Sequence, residues 1–187
     1  MSSWYTTLNN GPFVPGFWDA GHKLFRTTPE NYPAKFLAGD MFENTHLDPT
    51  VLASCNAPSV ASVDTLTELR GHISVIHASA LFHLFGEEKQ FELAKRIASL
   101  LDPRPGSIIF GSHFGSPVKG IGRVVFIEIF AHSPESWKEL WEQIFEKGQV
   151  KVTAALEKMD IVGETENSGL TEGLKTSYWF SWSIERL

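Results

Sequence analysis

The chain has 187 residues, of which 42% are hydrophobic and 20% are charged, and its formal net charge is -6. This composition is typical of a globular protein, and the length predicts one domain, residues 1–187, with a sizeable core. The negative charge argues against nucleic acid or an anionic membrane as the main partner. A single cysteine, no visible signal peptide and no long apolar run predict a cytoplasmic protein without an intramolecular disulfide.

The N-terminal third is weakly patterned. Residues 1–16 form an atypical, turn-rich segment, and Phe17 to Phe25 is predicted to be a short helix. Lys35 to Gly39 is a candidate strand that delivers Asp40 at its end. The polar stretch from Glu43 to Glu68 predicts loops and short helices.

The most patterned stretch runs from His72 to Gly111 and predicts a strand, a helix and a second strand. Ile73 to Ile76 is apolar and rich in β-branched residues, and Ser107 to Phe110 follows the helix stop. Parallel strands need such a crossover, and ligands of open parallel sheets bind beyond the carboxyl ends of the strands. The candidate functional positions are therefore those at the predicted strand ends: Asp40, His77-Ala78-Ser79 and Ser112-His113.

The next segment predicts a glycine-rich loop from Ser112 to Gly122 and a short strand within Val124 to Phe130. A helix starts at Ser133-Pro134, because serine is a good N-cap and proline suits the first turn, and Gly148 is expected to end it. Its predicted buried stripe consists of Trp137, Leu140, Trp141, Ile144 and Phe145.

Two alternating segments close the chain. Val150 to Glu157 and Tyr178 to Ile184 alternate apolar with polar or small residues, and an acidic connection from Gly163 to Gly173 lies between them. This pattern predicts an antiparallel hairpin at the sheet edge.

Five segments in this order resemble the methyltransferase-like proteins of fungal secondary metabolism: FWDAGHKLF, KFLAGDMF, ISVIHASALFHLF, AKRIASLLDPRPGSIIFG and SPESWKELW. The resemblance covers Phe17 to the C-terminus. It implies the α/β fold of class I S-adenosylmethionine-dependent methyltransferases, a Rossmann-like, mostly parallel sheet with a C-terminal antiparallel hairpin. The family's first strand, glycine-rich loop and ribose-binding acid would precede Phe17, yet the sequence holds no GxGxG-like segment. We therefore expect an N-terminally shortened domain that lacks the first strand and this loop.

The resemblance also implies a cofactor site for S-adenosylmethionine. It places Asp40, Met41 and Phe42 near the adenine, and His77 and Ala78 in the wall of the cofactor pocket. Without the glycine loop and the acid, binding of this cofactor is expected to be weak or absent.

Other side chains are candidates for chemistry on a substrate. His77, His83 and His113 can serve as general acid or base near neutral pH. Phe82 and Phe114 are candidates for an apolar substrate pocket. The histidines lack a metal-ligand spacing, so no metal is predicted. No GxSxG turn presents a serine, which argues against a hydrolase.

Three functions remain open. The first is a methyltransferase-like protein that acts on a small apolar polyketide or terpenoid. The second is a cofactor-independent isomerase or cyclase that uses the cleft histidines, and the third is a non-catalytic partner of another protein. Because the first strand is missing, the sheet must be closed in another way, and we expect a homodimer to close it. Apolar surface on the Trp137/Trp141 helix and on the Tyr178 to Ile184 strand would support the dimer interface. The alternatives are that the remaining strands pair directly or that the N-terminal segment closes the sheet.

Overall fold

The computed structural model describes residues 16–28, 30–32, 34–124, 127–159 and 177–187. The helices are α1 (Gly16–Phe25), α2 (Glu87–Leu100) and α3 (Pro134–Glu142). The strands are β1 (Val75–His77), β2 (Ile108–Gly115), β3 (Gly120–Val124), β4 (Ile127–Ala131), β5 (Val150–Met159) and β6 (Ser177–Arg186). None of the helices in these ranges has the length and apolar character needed to traverse a bilayer.

Four strands form the main sheet in the order β1-β2-β6-β5. β1 pairs with β2 in parallel, whereas β6 is antiparallel to both β2 and β5. β1, β2 and β5 therefore point in one direction and β6 alone is reversed. The mixed α/β architecture, the parallel β1-α2-β2 unit and the C-terminal antiparallel pair are all as predicted. The acidic connection from Gly163 to Gly173 lies outside the described residues.

The main sheet has one buried face. Strand alternation turns Ile109, Phe180, Trp182 and Ile184 to the same side, where they pack in a core with residues of α2 and α3. The other face stays accessible, and Val75 and Phe110 are 54% and 38% exposed on it. Whether a strand residue is enclosed in the core or open to a ligand therefore depends on which face it occupies.

α3 begins as predicted and ends earlier than predicted. The Ser133 hydroxyl accepts a hydrogen bond from the Ser136 N–H, which caps the helix, and Pro134 occupies its first turn. The helix stops at Glu142 because the chain tightens into turns before Gly148, which has φ 85°. The predicted stripe is still covered: Trp137, Leu140, Trp141 and Phe145 are buried and Ile144 is half-buried.

Two predicted elements are wrong. Lys35 to Gly39 forms no strand; instead the Lys35 ammonium donates to the carbonyls of Ala61 and Val63 and thereby holds the segment. The glycine-rich loop from Ser112 to Gly122 is largely strand, because β6 pairs with all of β2 as far as Gly115. The predicted strand within Val124 to Phe130 belongs to a separate β3-β4 hairpin.

Candidate functional site

A small polar cluster lies where β1 ends and involves His77, Ser79 and Ser112. The Ser79 Oγ is 2.8 Å from the His77 Nε2 and 3.3 Å from the Ser112 Oγ. It also accepts a hydrogen bond from the Ser112 backbone N–H at 3.0 Å. The cluster joins the carboxyl end of β1 to β2, which is where a mostly parallel sheet places its ligands.

The backbone that carries Ser79 is held tightly against β2. The Ala78 N–H donates to the Phe110 carbonyl at 2.9 Å, and the Ala80 N–H donates to the Ser112 carbonyl at 2.7 Å. Ala80 has φ 52°, a left-handed conformation that non-glycine residues adopt rarely and that tends to occur at functional sites. Gly111 permits the close approach, because a Cβ there would lie 2.2 Å from the Ala78 carbonyl oxygen. The position of the Ser79 hydroxyl is thus fixed by backbone contacts on both sides.

The imidazole of His77 lies on the accessible face of the sheet. Its ring packs on Phe110 with centroids 4.9 Å apart and an interplanar angle of 32°. Its Nε2 is engaged by Ser79, and its Nδ1 forms no hydrogen bond within the described ranges. His77 is exposed, so its Nδ1 is available to a ligand.

The loop from Asp40 to Phe42 packs on the chain that leaves β1. The Asp40 Oδ1 accepts from the Phe42 N–H at 2.8 Å, which folds the loop into a local turn. Met41 is buried, and Phe42 contacts Phe85 edge-to-face at 5.0 Å between centroids. Among the residues that the structure describes, Asp40 makes no hydrogen bond to His77. The contact that joins this loop to the chain after β1 is therefore the aromatic one between Phe42 and Phe85.

His113 lies in the core, on the other face of the sheet from His77. It is 1% exposed, and its Nδ1 accepts a hydrogen bond from the Trp182 Nε1–H at 3.0 Å. Burial, with smaller contributions from His83 and His132, lowers the pKa of His113 to about 3. The imidazole is therefore neutral at pH 7 and has no access to a ligand on the accessible face.

His132 is a second buried imidazole, which the sequence analysis did not single out. It is 2% exposed, and its Nδ1 lies 2.9 Å from the Ser136 Oγ. Its Nε2 is buried and has no hydrogen-bond partner among the described residues. Burial, together with the charge of Lys119, lowers its pKa to about 4. The signal in the sequence was its place directly before the N-cap Ser133.

His83 lies between the buried histidines and the sheet edge. Its ring is 6.1 Å from that of His113 and contacts Phe114 edge-to-face at 5.4 Å. It is half-buried, burial lowers its pKa, and its Nδ1 has no hydrogen-bond partner in the part of the chain that the structure describes. The three predicted catalytic histidines are thus not one group, since His77 and His113 lie on opposite faces.

The two predicted substrate-pocket residues also separate. Phe82 is fully buried and packs on Trp137 and Trp182, so it fills the core. Phe114 is half-buried and contacts Trp179 at 5.7 Å between centroids. Trp179, which the sequence analysis placed only in a strand, therefore extends the apolar surface beside Phe114.

A groove of about 800 Å³ lies away from these residues, between α2 and the chain that enters β5. Its lining includes Gln149 and Arg186, which stand at the amino end of β5 and the carboxyl end of β6. The groove therefore lies at the end of the sheet that is opposite to the carboxyl ends of β1 and β2. Charges of both signs line it, so its composition points to no particular ligand.

No group of three or more histidine, cysteine or carboxylate side chains in the described ranges is arranged to hold a metal ion. Cys55 is exposed and free. The candidate site defined by the hydrogen bonds above is centred on His77, Ser79 and Ser112.

The strand order defines the class of fold. A parallel β-α-β unit followed by a reversed strand between two strands of common direction is the C-terminal layout of class I methyltransferases. A solved structure supports this assignment: the 1,6-didemethyltoxoflavin-N1-methyltransferase of Burkholderia thailandensis, with bound 1,6-didemethyltoxoflavin and S-adenosylhomocysteine. It matches with a TM-score of 0.52 and 10% identity over 98% of this chain and 60% of its own. The chain thus has a class I methyltransferase-like fold.

Fungal methyltransferases are similar in sequence, although no protein-family model matches the chain. O-methyltransferase phiE of a fungal species is 34% identical over 133 residues, which are 69% of this chain and 38% of phiE. Methyltransferase adrK of Penicillium rubens is 26% identical over 140 residues, 74% of this chain and 44% of adrK. The Asnovolin E/Chermesin D methyltransferase nvfJ of Aspergillus novofumigatus is 24% identical over 136 residues, 69% of this chain and 41% of nvfJ. The chain spans about two fifths of the length of these relatives.

Proposed function

We propose that the chain belongs to a methyltransferase of fungal specialised metabolism and methylates an oxygen of a small apolar polyketide or terpenoid. The observation that carries the proposal is the His77 cluster, which stands at the carboxyl end of β1 in a sheet of this class. The names of two relatives, an O-methyltransferase and an Asnovolin E/Chermesin D methyltransferase, support methyl transfer, and the first supports oxygen as the acceptor atom. His77 is the proposed base for the acceptor hydroxyl.

Accessibility favours His77 over the other two predicted bases. His113 is enclosed by aromatic side chains, and its Nδ1 is already occupied by Trp182. His83 presents its unpartnered Nδ1 to the protein interior. A general base must come within hydrogen-bond reach of the proton that it removes, and His77 alone of the three is exposed.

S-adenosylmethionine is the cofactor that this fold implies, and the described residues fit one end of it. The Oδ2 of Asp40 is not used by the Phe42 N–H and can accept from the adenine amine, with Phe42 in the same turn. The described ranges offer neither a glycine-rich loop for the methionine part nor an acid in the ribose position. When bound, the cofactor supplies an electrophilic methyl group; the part of this chain is to orient the acceptor and take its proton.

The isolated chain is expected to bind S-adenosylmethionine weakly or not measurably, because backbone donors and the ribose acid supply much of the usual affinity. Titration calorimetry at 25 °C tests this expectation. A dissociation constant in the micromolar range or below would contradict it and would show that residues of this chain suffice for the whole cofactor.

Transfer of labelled methyl from S-adenosylmethionine to a panel of phenolic polyketides and terpenoids tests the function itself. The cofactor is supplied at millimolar concentration to offset weak binding. We expect at least one labelled product, a loss of about 100-fold or more in His77→Gln, since general-base catalysis contributes about that much, and little change in Thr153→Ala on the same face. No labelled product from any acceptor, or equal labelling by His77→Gln, would overturn the proposal.

The other two functions make different demands on the structure. A cofactor-independent isomerase would need several histidines around one ligand, whereas His77 and His113 lie on opposite faces. A non-catalytic partner would use the accessible face, where Val75 and Phe110 are exposed. Rearrangement of an unlabelled acceptor without methyl uptake would favour the first, and a stable complex without turnover the second.

A further inference from the structure

The hydroxyl of Ser79 has more hydrogen-bond partners than it has hydrogens, and this restricts the state of His77. Its oxygen has two lone pairs and one hydrogen. The Ser112 backbone N–H can only donate, so one lone pair of Ser79 is committed at 3.0 Å. One lone pair and one hydrogen remain for the His77 Nε2 and the Ser112 Oγ.

Two arrangements satisfy these contacts. In one, Ser79 donates to the His77 Nε2, which leaves the hydrogen of a neutral imidazole on the Nδ1. In the other, the His77 Nε2–H donates to Ser79, and Ser79 donates to the Ser112 Oγ. Only the second leaves a free lone pair on the exposed Nδ1, and only the second persists once His77 is protonated, because an imidazolium has no acceptor.

We propose that Ser79 and Ser112 are positioning residues that hold His77 by its Nε2–H, so that its Nδ1 is the atom that takes the proton from an acceptor hydroxyl. This inference rests on the proposed function and adds the atom and the two serines. The acceptor O–H bond breaks and its proton passes to the Nδ1. The resulting oxygen anion would then take the methyl group as the C–S bond to the sulfonium sulfur breaks, with S-adenosylhomocysteine as the leaving group. The imidazolium keeps its bond to Ser79 and later releases the proton to water.

The backbone explains why this arrangement is rigid. Ser79 lies between the Ala78 and Ala80 N–H groups, both of which donate to carbonyls of β2. The His77 ring is also held on one side by Phe110. An imidazole that is oriented by a second group is the usual design of an enzymatic base, and here two serines take the orienting role that a carboxylate has elsewhere.

Nitrogen-15 NMR of histidine side chains tests the inference without a substrate, because it reports which ring nitrogen carries hydrogen. The His77 signals are assigned by their loss in His77→Gln. At a pH where His77 is neutral, we expect the Nε2–H form in the wild type. We expect a shift of the population toward Nδ1–H in Ser112→Ala, because Ser79 then loses its acceptor and turns its hydrogen to His77.

Further variants separate positioning from folding. Ser79→Ala should give a mixture of both forms, Ser79→Thr should restore the wild-type form, and Thr153→Ala, on the same face, should leave the spectrum unchanged. An Nδ1–H form in the wild type, or populations unaffected by both serine variants, would overturn the inference. The result is separate from the methyl-transfer assay: the Nε2–H form without methyl transfer would leave His77 poised for proton transfer in another reaction and would count against the proposed function alone.

Discussion

Two imidazoles beside Trp137 show how burial decides what a histidine can do. The ring of Trp137 lies 5.2 Å from His113 and 5.4 Å from His132, and Phe82 completes the aromatic contacts. A charge in such surroundings is costly, so the neutral imidazole is favoured and its pKa falls. The same residue type on the accessible face, at His77, keeps contact with water. Position on one face or the other of β1 and β2 therefore separates core histidines from the candidate base.

The two buried histidines, His113 and His132, predict that the free energy of unfolding decreases in mild acid. The pKa values of His113 and His132 are about 3 and about 4 in the folded state, against an ordinary value of 6.5. Below pH 6.5 the unfolded chain binds more protons than the folded chain, so the free energy of unfolding decreases as the pH falls. Each histidine contributes a loss of about 2 kcal/mol between pH 7 and pH 5, about 4 kcal/mol together.

Urea unfolding at pH 7 and at pH 5 measures this loss. His113→Phe should reduce the difference between the two pH values by about half, although it lowers stability at pH 7 by about 1–3 kcal/mol because it deprives the Trp182 N–H of its acceptor. Thr153→Ala, an exposed change in β5 that removes no titratable group, is the control and should keep the wild-type difference. An unchanged difference in His113→Phe would show that this imidazole is not held neutral by the fold.

At the scale of elements, the close contact between β1 and β2 requires a glycine, which has no side chain, at position 111. Gly111 faces the Ala78 carbonyl, so Gly111→Ala should push apart the segment that carries Ser79 and destabilise the protein by about 1–3 kcal/mol or more. Gly122→Ala in β3 is the control, since a Cβ there meets nothing within 4 Å. The difference in urea midpoint between the two variants measures the effect. Equal midpoints would show that β1 and β2 accommodate a Cβ at position 111 without a loss of stability.

Periodicity predicted the elements that bury a regular stripe and failed where contacts distant in sequence decide. α2, the start of α3 and the alternation in β5 and β6 follow from local patterns and caps. The segment before Asp40 has an apolar, strand-like composition, yet the structure holds it by Lys35 and by the fit of Gly39 against His46. The full length of β2 depends on β6, about seventy residues further along, and no local signal reveals that pairing.

The location of the candidate site could be predicted from the sequence, whereas the hydrogen bonds within the site could not. Ligands of open parallel sheets bind beyond the carboxyl ends of the strands, and this rule selects His77, Ser79 and Ser112. The change from a strand pattern to a helix pattern shows in the sequence where a strand ends. The hydrogen bonds among them depend on register, namely that His77 stands opposite Phe110 and so shares a face with Ser112. A shift of one residue would have placed His113 beside His77 instead. The sequence does not specify the register of β1 against β2, and the prediction that groups His77 with His113 is therefore wrong.

At the scale of the molecule, the surface expected to support a dimer is not available. Trp137 and Trp141 are fully buried, and Phe180, Trp182 and Ile184 face the core, so the helix and strand named in the sequence analysis are part of the interior. The accessible apolar residues lie elsewhere. Val75 and Phe110 stand on the open sheet face, and β1 is an edge strand of the described sheet. Edge strands and exposed apolar surface both favour association.

We therefore expect a homodimer whose twofold contact centres on Val75 and the β1 edge, with the same patch contributed by both copies, and leaves His77 at the carboxyl end of β1 open. Light scattering coupled to size-exclusion chromatography at micromolar concentration should give twice the 20.9 kDa of one chain. Val75→Lys should shift the population to monomer, because it places a like charge at each side of a twofold contact and desolvates it there. Glu139→Lys, an exposed change on α3, which packs against the other face of the sheet, should not. A wild type that elutes as a folded monomer at these concentrations would refute the dimer, and a dimer insensitive to Val75→Lys would place its contact on another surface.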